Sequence, residues 1–113
     1  QLMLGSRKEE HAQLLKGVTG AKITSWWPRA VDIIPTDGSK GVGVQKVLDY
    51  FHIKNEQAIA FGDGGNDIEM LQTVGTGVAM GNATDDVKAA ADAVCGNVSD
   101  DGIYYYCKNH GLL

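Results

Sequence analysis

The chain has 113 residues, 43% of them hydrophobic, and carries a formal net charge of −4 at pH 7. This length is enough for one small domain with its own core, and so mild a charge gives no reason to expect nucleic-acid binding. No apolar stretch approaches the ~20 residues that cross a bilayer, and no signal peptide opens the sequence. We therefore expect a cytoplasmic protein whose two cysteines are reduced thiols.

The first 35 residues predict the end of a helix followed by two strands. The segment "SRKEEHAQLLKG" at 6–17 indicates a helix end that Gly17 closes. The segments "AKITSWW" at 21–27 and "AVDIIP" at 30–35 are typical of strands. Two adjacent tryptophans end the first of these strands, and adjacent strand residues face opposite ways. We therefore expect one indole to pack and the other to lie on an interface or a substrate surface.

A helix is predicted next, starting directly after a capping serine. Ser39 is a suitable N-cap, which puts Lys40 at the first helical position. Apolar residues then recur at the spacing of one helix face, and these are Val44, Val47, Leu48 and Phe51.

Strands and helices alternate through the rest of the chain. Short apolar runs predict strands near 57–61, 77–80 and 92–95. A helix is expected after each of the first two strands, the second capped by Asn82 or Thr84, and a terminal helix or turn follows the third. Such alternation favours right-handed crossovers and a parallel sheet.

The chemistry is concentrated in "GDGGND" at 62–67, directly after a predicted strand. Ligands bind at the carboxyl ends of strands in open α/β sheets, which is where Asp63 falls, with Asn66 and Asp67 close behind. Glycines let the backbone approach a ligand closely, and carboxylates suit Mg²⁺. Two simpler interpretations stay open: a glycine turn, and an Asp67 that only complements the helix dipole.

The order and spacing of three segments resemble the haloacid dehalogenase superfamily of phosphohydrolases, in its Cof-like branch with a large α/β cap. These segments are "SKG" at 39–41, "GDGGNDIEML" at 62–71 and "GVAMGNA" at 77–83. The resemblance implies an α/β fold, with half of a doubly wound parallel sheet in residues 36–113. It also implies that residues 1–35 are the tail of the cap.

The resemblance further implies roles for five residues. Lys40 would hold the phosphoryl group and steady the nucleophile, and Asp63 would ligate Mg²⁺. Asn66 would bind the phosphate side of the substrate, and Asn82 is a further candidate for that role. Asp67 would support the metal site, either directly or through water and the lysine.

The chain departs from the family pattern at the nucleophile. The superfamily uses two aspartates of a "DxDGT"-type motif, and no such motif occurs in these 113 residues. We therefore expect the C-terminal portion of a Mg²⁺-dependent phosphatase of small phosphorylated metabolites such as sugar phosphates, acting through an aspartyl-phosphate. Such a portion would be inactive by itself and could self-associate. A non-catalytic structural or binding module and a phosphotransferase or phosphomutase of the same superfamily are the alternatives.

Overall fold

A computed structural model describes residues 2–5 and 10–113, in which two three-stranded sheets follow one another along the chain. The first sheet is antiparallel, with β1 (Leu2–Gly5) and β2 (Ala21–Trp27) on either side of β3 (Ala30–Pro35). The strands predicted at 21–27 and 30–35 are thus confirmed, whereas β1 had no predicted counterpart. A short helix, α1 (His11–Leu14), lies between β1 and β2.

The helix end predicted over residues 6–17 is confirmed only where the chain is described. Residues 6–9 of that segment lie outside the described residues. Gly17 has a φ of +76°, the left-handed conformation that glycine adopts without steric cost. Gly17 therefore ends this segment as expected, three residues after the last residue of α1.

The adjacent tryptophans depart from the predicted strand alternation. Thr24 pairs with Asp32 and Trp27 pairs with Ala30, so β2 has an extra residue in this interval. Such a bulge changes the direction of the side chains that follow it. The Trp26 and Trp27 rings consequently stack, with centroids 6.5 Å apart and planes 25° apart, and both side chains are half-exposed. The expectation that they face opposite ways was wrong.

The second sheet is parallel throughout and has the strand order β4-β5-β6. Its strands are β4 (Ile59–Gly62), β5 (Thr76–Ala79) and β6 (Ala93–Val94). The helices of this half are α2 (Lys40–Phe51), α3 (Ile68–Thr73), α4 (Asp85–Ala90) and α5 (Gly102–Asn109). The predicted alternation of helices with parallel strands is therefore confirmed.

The core lies between this parallel sheet and its helices. Leu71 of α3, Val78 of β5 and Val87 of α4 are almost completely buried. Side chains from α3 and α4 pack on one cluster with alanines of the sheet. Because parallel strands are covered by their crossover helices, their short apolar sequences are buried. This packing fixes the loops at the carboxyl ends of β4 and β5.

The predicted apolar face of α2 is buried only in part. Ser39 caps the helix as expected, since its Oγ accepts a hydrogen bond from the Val42 N–H at 3.1 Å. Leu48 is buried, but 55% of Val47 and 61% of Phe51 are exposed. Nothing in the described residues covers that side of the helix, so the expectation of one buried face was wrong for these two residues. Self-association through such a surface stays a prediction.

Three further expectations concern the chain as a whole. Cys95 and Cys107 are free thiols, as expected. No helix in the described ranges is long and apolar enough to cross a membrane. The predicted division of the chain between residues 35 and 36 falls in the connection between β3 and α2, and it stays a prediction.

Candidate functional site

The predicted site residues come together at the carboxyl ends of β4 and β5. Asp63 directly follows β4, and a 3₁₀ turn at Gly65–Asp67 leads into α3. Lys40 reaches the same place from the first residue of α2. Asn82 belongs to the loop after β5. Parallel strands end at one edge of their sheet, so residues far apart in the sequence become neighbours there.

Asp67 is at the centre of this group and only 5% exposed. One carboxylate oxygen, Oδ1, accepts a hydrogen bond from the Lys40 ammonium, and the two side chains form an ion pair. The other oxygen, Oδ2, accepts from the backbone N–H groups of Asp63 at 3.0 Å and Gly64 at 3.1 Å. Asp67 therefore fixes both the lysine head and the backbone turn that carries Asp63.

The same contacts determine the protonation state of Asp67. Burial raises the pKa of this carboxyl, but the hydrogen bond from Lys40 and those from the two backbone N–H groups lower it. The positive charge of Lys40 lowers the pKa further, and the net result is a pKa below the ordinary value of 3.8. Asp67 is thus a carboxylate near neutral pH and keeps its lysine partner in place.

Asp63 is the exposed carboxylate of the group. Its Oδ2 accepts a hydrogen bond from Asn82 Nδ2 at 3.3 Å. The amide of Asn82 is oriented in turn, because its Oδ1 accepts from the Val98 N–H at 2.9 Å. Asn82 therefore acts on the site through Asp63, and it is not among the residues that line the adjoining cavity.

The glycines of the "GDGGND" loop have close neighbours from the chain itself. A Cβ on Gly62 would lie 2.6 Å from the Asp67 Cβ, and a Cβ on Gly65 would lie 2.8 Å from the Ser25 carbonyl oxygen. A Cβ on Gly64 would lie 3.2 Å from the Trp26 Cβ. Gly64 and Gly65 thus let β2 lie directly against the loop, and Gly62 leaves room for the Asp67 side chain, two requirements that the sequence pattern did not reveal.

A cavity of about 1170 Å³ lies between the two halves of the molecule. Lys40, Asp63 and Asn66 line one side of it, and residues of β2 and β3 line the other. The volume is slightly above the usual range for small-molecule sites, about 300–1,000 Å³. Sequence reasoning considered the tryptophans of this wall but missed Asp32 and His11, whose only sequence signal is a polar residue within a strand or helix.

The donor set fits Mg²⁺ in part. Asp63 offers an exposed carboxylate, the hard oxygen ligand that Mg²⁺ prefers. Both oxygens of Asp67 already accept hydrogen bonds, so this carboxylate has less capacity left for a metal. Within the ranges the structure describes, no cluster of three or more His, Cys, Asp or Glu side chains could hold a metal ion. The metal roles of Asp63 and Asp67 stay predictions, and further ligands would have to come from outside this set.

Comparison with known proteins finds a hydrolase family and relatives that are phosphatases. A family model described as haloacid dehalogenase-like hydrolase matches residues 2–107. The pyridoxal phosphate phosphatase YbhA of Escherichia coli (strain K12) is 44% identical over 84 residues, which are 74% of this chain and 31% of that protein.

Solved structures are similar over nearly the whole chain. The match to the HAD subclass IIB sugar phosphatase BT4131 has a TM-score of 0.93 and 38% identity, and it covers 98% of this chain and 43% of that one. The match to the phosphatase BT1666 from Bacteroides thetaiotaomicron has a TM-score of 0.90 and 35% identity, with 98% and 41% covered. The chain thus spans about a third to two-fifths of the length of these relatives.

Proposed function

Since the chain belongs to the haloacid dehalogenase-like hydrolase family, we propose that it is part of a Mg²⁺-dependent phosphatase of small phosphorylated metabolites such as sugar phosphates. The observation that carries the proposal is the hydrogen-bonded group in which Asp67 fixes Lys40 and the Asp63 turn beside the cavity. The names of the relatives, a pyridoxal phosphate phosphatase and a sugar phosphatase, support a phosphate monoester as the substrate class.

Each residue of the group has a definite task in this proposal. The Lys40 ammonium interacts with the phosphoryl oxygens, where a fixed positive charge stabilises the negative charge of the transition state. Asp67 positions that ammonium and does not touch the substrate. Asn66 lines the cavity and offers an amide donor to the phosphate. Asp63 would hold Mg²⁺, which when bound neutralises phosphate charge.

The nucleophile would come from a segment outside these 113 residues. In the proposed reaction an aspartate carboxylate attacks phosphorus, the alcohol leaves, and water then hydrolyses the aspartyl-phosphate. The chain has no "DxDGT"-type motif to supply this aspartate. Its own residues bind the phosphoryl group and fix the charges around it, which is the larger part of catalysis in phosphoryl transfer.

The first test compares this chain with the full-length protein. Purified residues 1–113 should release no p-nitrophenol from p-nitrophenyl phosphate, whereas the full-length protein should hydrolyse it and lose activity when Mg²⁺ is chelated. Robust Mg²⁺-dependent turnover by the 113-residue chain would contradict the assignment of the nucleophile to another segment.

The second test uses matched variants of the full-length protein. Asp63→Asn should remove most of the activity, and Asp49→Asn, at the far end of α2, should leave it unchanged. Lys40→Ala should cost about 3–4 kcal/mol of transition-state stabilisation, as for loss of one fixed electrostatic donor. Lys46→Ala on the same helix is its control, and an Asp63→Asn enzyme with the wild-type rate would refute the role of that carboxylate.

A further inference from the structure

The cavity wall opposite Lys40 contains a polar group that the proposed phosphate chemistry does not use. Asp32, in the middle of β3, is only 4% exposed. Its Oδ1 atom is buried and has no hydrogen-bond partner among the described residues, and the same holds for Nε2 of His11. A buried polar atom without a partner costs about 1–3 kcal/mol, and more when it is charged. Such a residue requires an explanation other than stability.

The position of Asp32 in the sheet directs it to the cavity. Asp32 pairs with Thr24 of β2, so the two side chains lie on the same face. The next pair on that face is Lys22 with Ile34. All four residues line the cavity, as does His11. This face of the antiparallel sheet is therefore the cavity wall, and the unpaired carboxylate oxygen is part of it.

The tryptophan pair connects this wall to the phosphate side of the cavity. The bulge in β2 lets both indoles line the same cavity as a stacked pair. The Trp26 backbone lies against Gly64 of the loop that carries Asp63 and Asn66. A ligand that reaches from Lys40 to Asp32 would therefore pass along an aromatic surface.

We propose that Asp32 is a specificity residue for a phosphate monoester whose alcohol is a sugar or polyol, a hydroxyl of which donates a hydrogen bond to Oδ1. The inference rests on the proposed function and names the substrate class of that same site. An ionised carboxylate only accepts hydrogen bonds, and hydroxyl groups are the donors that every sugar carries. Thr24 and His11 on the same wall offer further hydrogen bonds, and the apolar C–H face of a sugar fits against an indole ring.

The test measures the full-length protein on two kinds of substrate. One kind is a panel of hexose 6-phosphates and pentose 5-phosphates, and the other is p-nitrophenyl phosphate, whose alcohol has no further hydroxyl. Asp32→Asn should lower kcat/KM for the best sugar phosphate about 5- to 10-fold, because the amide oxygen can still accept the hydroxyl hydrogen bond but a neutral acceptor forms a weaker bond than a carboxylate. It should leave p-nitrophenyl phosphate hydrolysis within about twofold of wild type, since the groups around Lys40 are unchanged. Asp49→Asn is the control and should change neither rate.

Stability separates a specificity role from a structural one. If a sugar hydroxyl is the natural partner of Asp32, the thermal midpoint of ligand-free Asp32→Asn should equal or exceed that of wild type. A lower midpoint, with both substrates affected alike, would show that Asp32 is paired within the protein and would overturn the proposal.

The remaining outcomes distinguish this inference from the proposed function. A wild-type enzyme that hydrolyses p-nitrophenyl phosphate but no sugar or polyol phosphate keeps the proposed function and refutes the role of Asp32. If neither kind of substrate is hydrolysed, the proposed function fails, and the binding of a hexose phosphate then tests the role of Asp32. A rise in thermal midpoint with a hexose phosphate that is smaller in Asp32→Asn than in wild type would support the inference, and no such rise in wild type would overturn it.

Discussion

Two regions of the molecule each bury one aspartate, but the two carboxylates differ in their hydrogen bonding. Asp32 in the antiparallel sheet and Asp67 after the parallel sheet are 4% and 5% exposed. Asp67 accepts three hydrogen bonds, from Lys40 and from two backbone N–H groups. Asp32 has one buried oxygen with no partner among the described residues. Equal burial thus leaves both oxygens of Asp67 hydrogen-bonded and one oxygen of Asp32 without a partner among the described residues, and the two proposals rest on this difference.

The comparison extends to the packing around each aspartate. Asp67 adjoins the tightly packed half of the chain, in which Leu71, Val78 and Val87 form the core. Asp32 borders a cavity, with half-exposed tryptophans beside it. A group held by a rigid core can fix the geometry of reacting atoms, whereas a group at a cavity wall is free to meet a ligand.

Removal of the fully bonded aspartate should have the largest effect on stability. Asp67→Ala leaves Lys40 and two backbone N–H groups without their acceptor, so we expect a loss of about 2–3 kcal/mol in the free energy of unfolding. Lys40 is half-exposed and regains water, which keeps the loss below that of a fully buried pair. Urea denaturation of the 113-residue chain measures this, with Asp49→Ala as a control that should change less than about 0.5 kcal/mol. If Asp67→Ala and Asp49→Ala lowered the free energy of unfolding equally, Asp67 would stabilise the chain no more than an ordinary surface aspartate, and the prediction would be wrong.

The contact between the two regions can be tested at a glycine. Gly65→Ala would put a Cβ 2.8 Å from the Ser25 carbonyl oxygen. This oxygen belongs to the backbone of β2, so the clash can be relieved only if β2 or the loop moves. We expect a loss of about 1–2 kcal/mol, typical of a methyl group added where there is no room. Gly43→Ala is the matched control, because a Cβ there meets nothing within 4 Å. In the interior of α2 that change should stabilise the chain by about 1 kcal/mol in the same denaturation experiment. A tolerated Gly65→Ala would mean that β2 is not held against the loop.

Substitution of Asp32 should change the stability in the opposite direction to substitution of Asp67. Asp32→Asn replaces a carboxylate that has a buried, unpaired oxygen with a neutral amide of the same shape. We expect the free energy of unfolding to rise by about 1 kcal/mol, since burying a neutral group costs less than burying a charge. Thermal denaturation of the 113-residue chain checks this, and a decrease would show that Asp32 already has a partner within the chain.

The smallest expected effect is a change in the pH dependence of stability. The pKa of Asp67 in the folded chain is lowered, so its contribution is fully present above the unfolded pKa and is lost as pH falls through the folded pKa. That window lies below the ordinary value of 3.8. Urea midpoints measured from about pH 5 downwards should therefore fall less steeply for Asp67→Asn than for wild type. Parallel curves for the two proteins would contradict the lowered pKa.

The order of elements after Lys40 was open to prediction because it depends on local patterns. Apolar runs of four or five residues, helical spacing and a capping serine are properties of neighbouring residues, and they gave β4, β5, β6 and the helices between them. The same holds for "GDGGND", whose place after a strand predicted a site at the edge of the sheet. The resemblance carried by its spacing predicted the family that the comparisons confirm.

Other features depend on residues that are far apart in the sequence. Strand alternation predicted opposite directions for Trp26 and Trp27, but the bulge that aligns them arises from the register of β2 against β3. Helical spacing predicted a buried Val47 and Phe51, but burial depends on what packs against α2, and spacing carries no information on that. The hydrogen-bond partners of Asp32 and Asp67 also depend on residues that are far apart in the sequence. The sequence by itself determined which elements form and which residue types follow them. Only the tertiary structure decided that Asp67 is paired and that one oxygen of Asp32 has no partner among the described residues, because a hydrogen bond between distant residues exists only once packing has brought its donor and acceptor together.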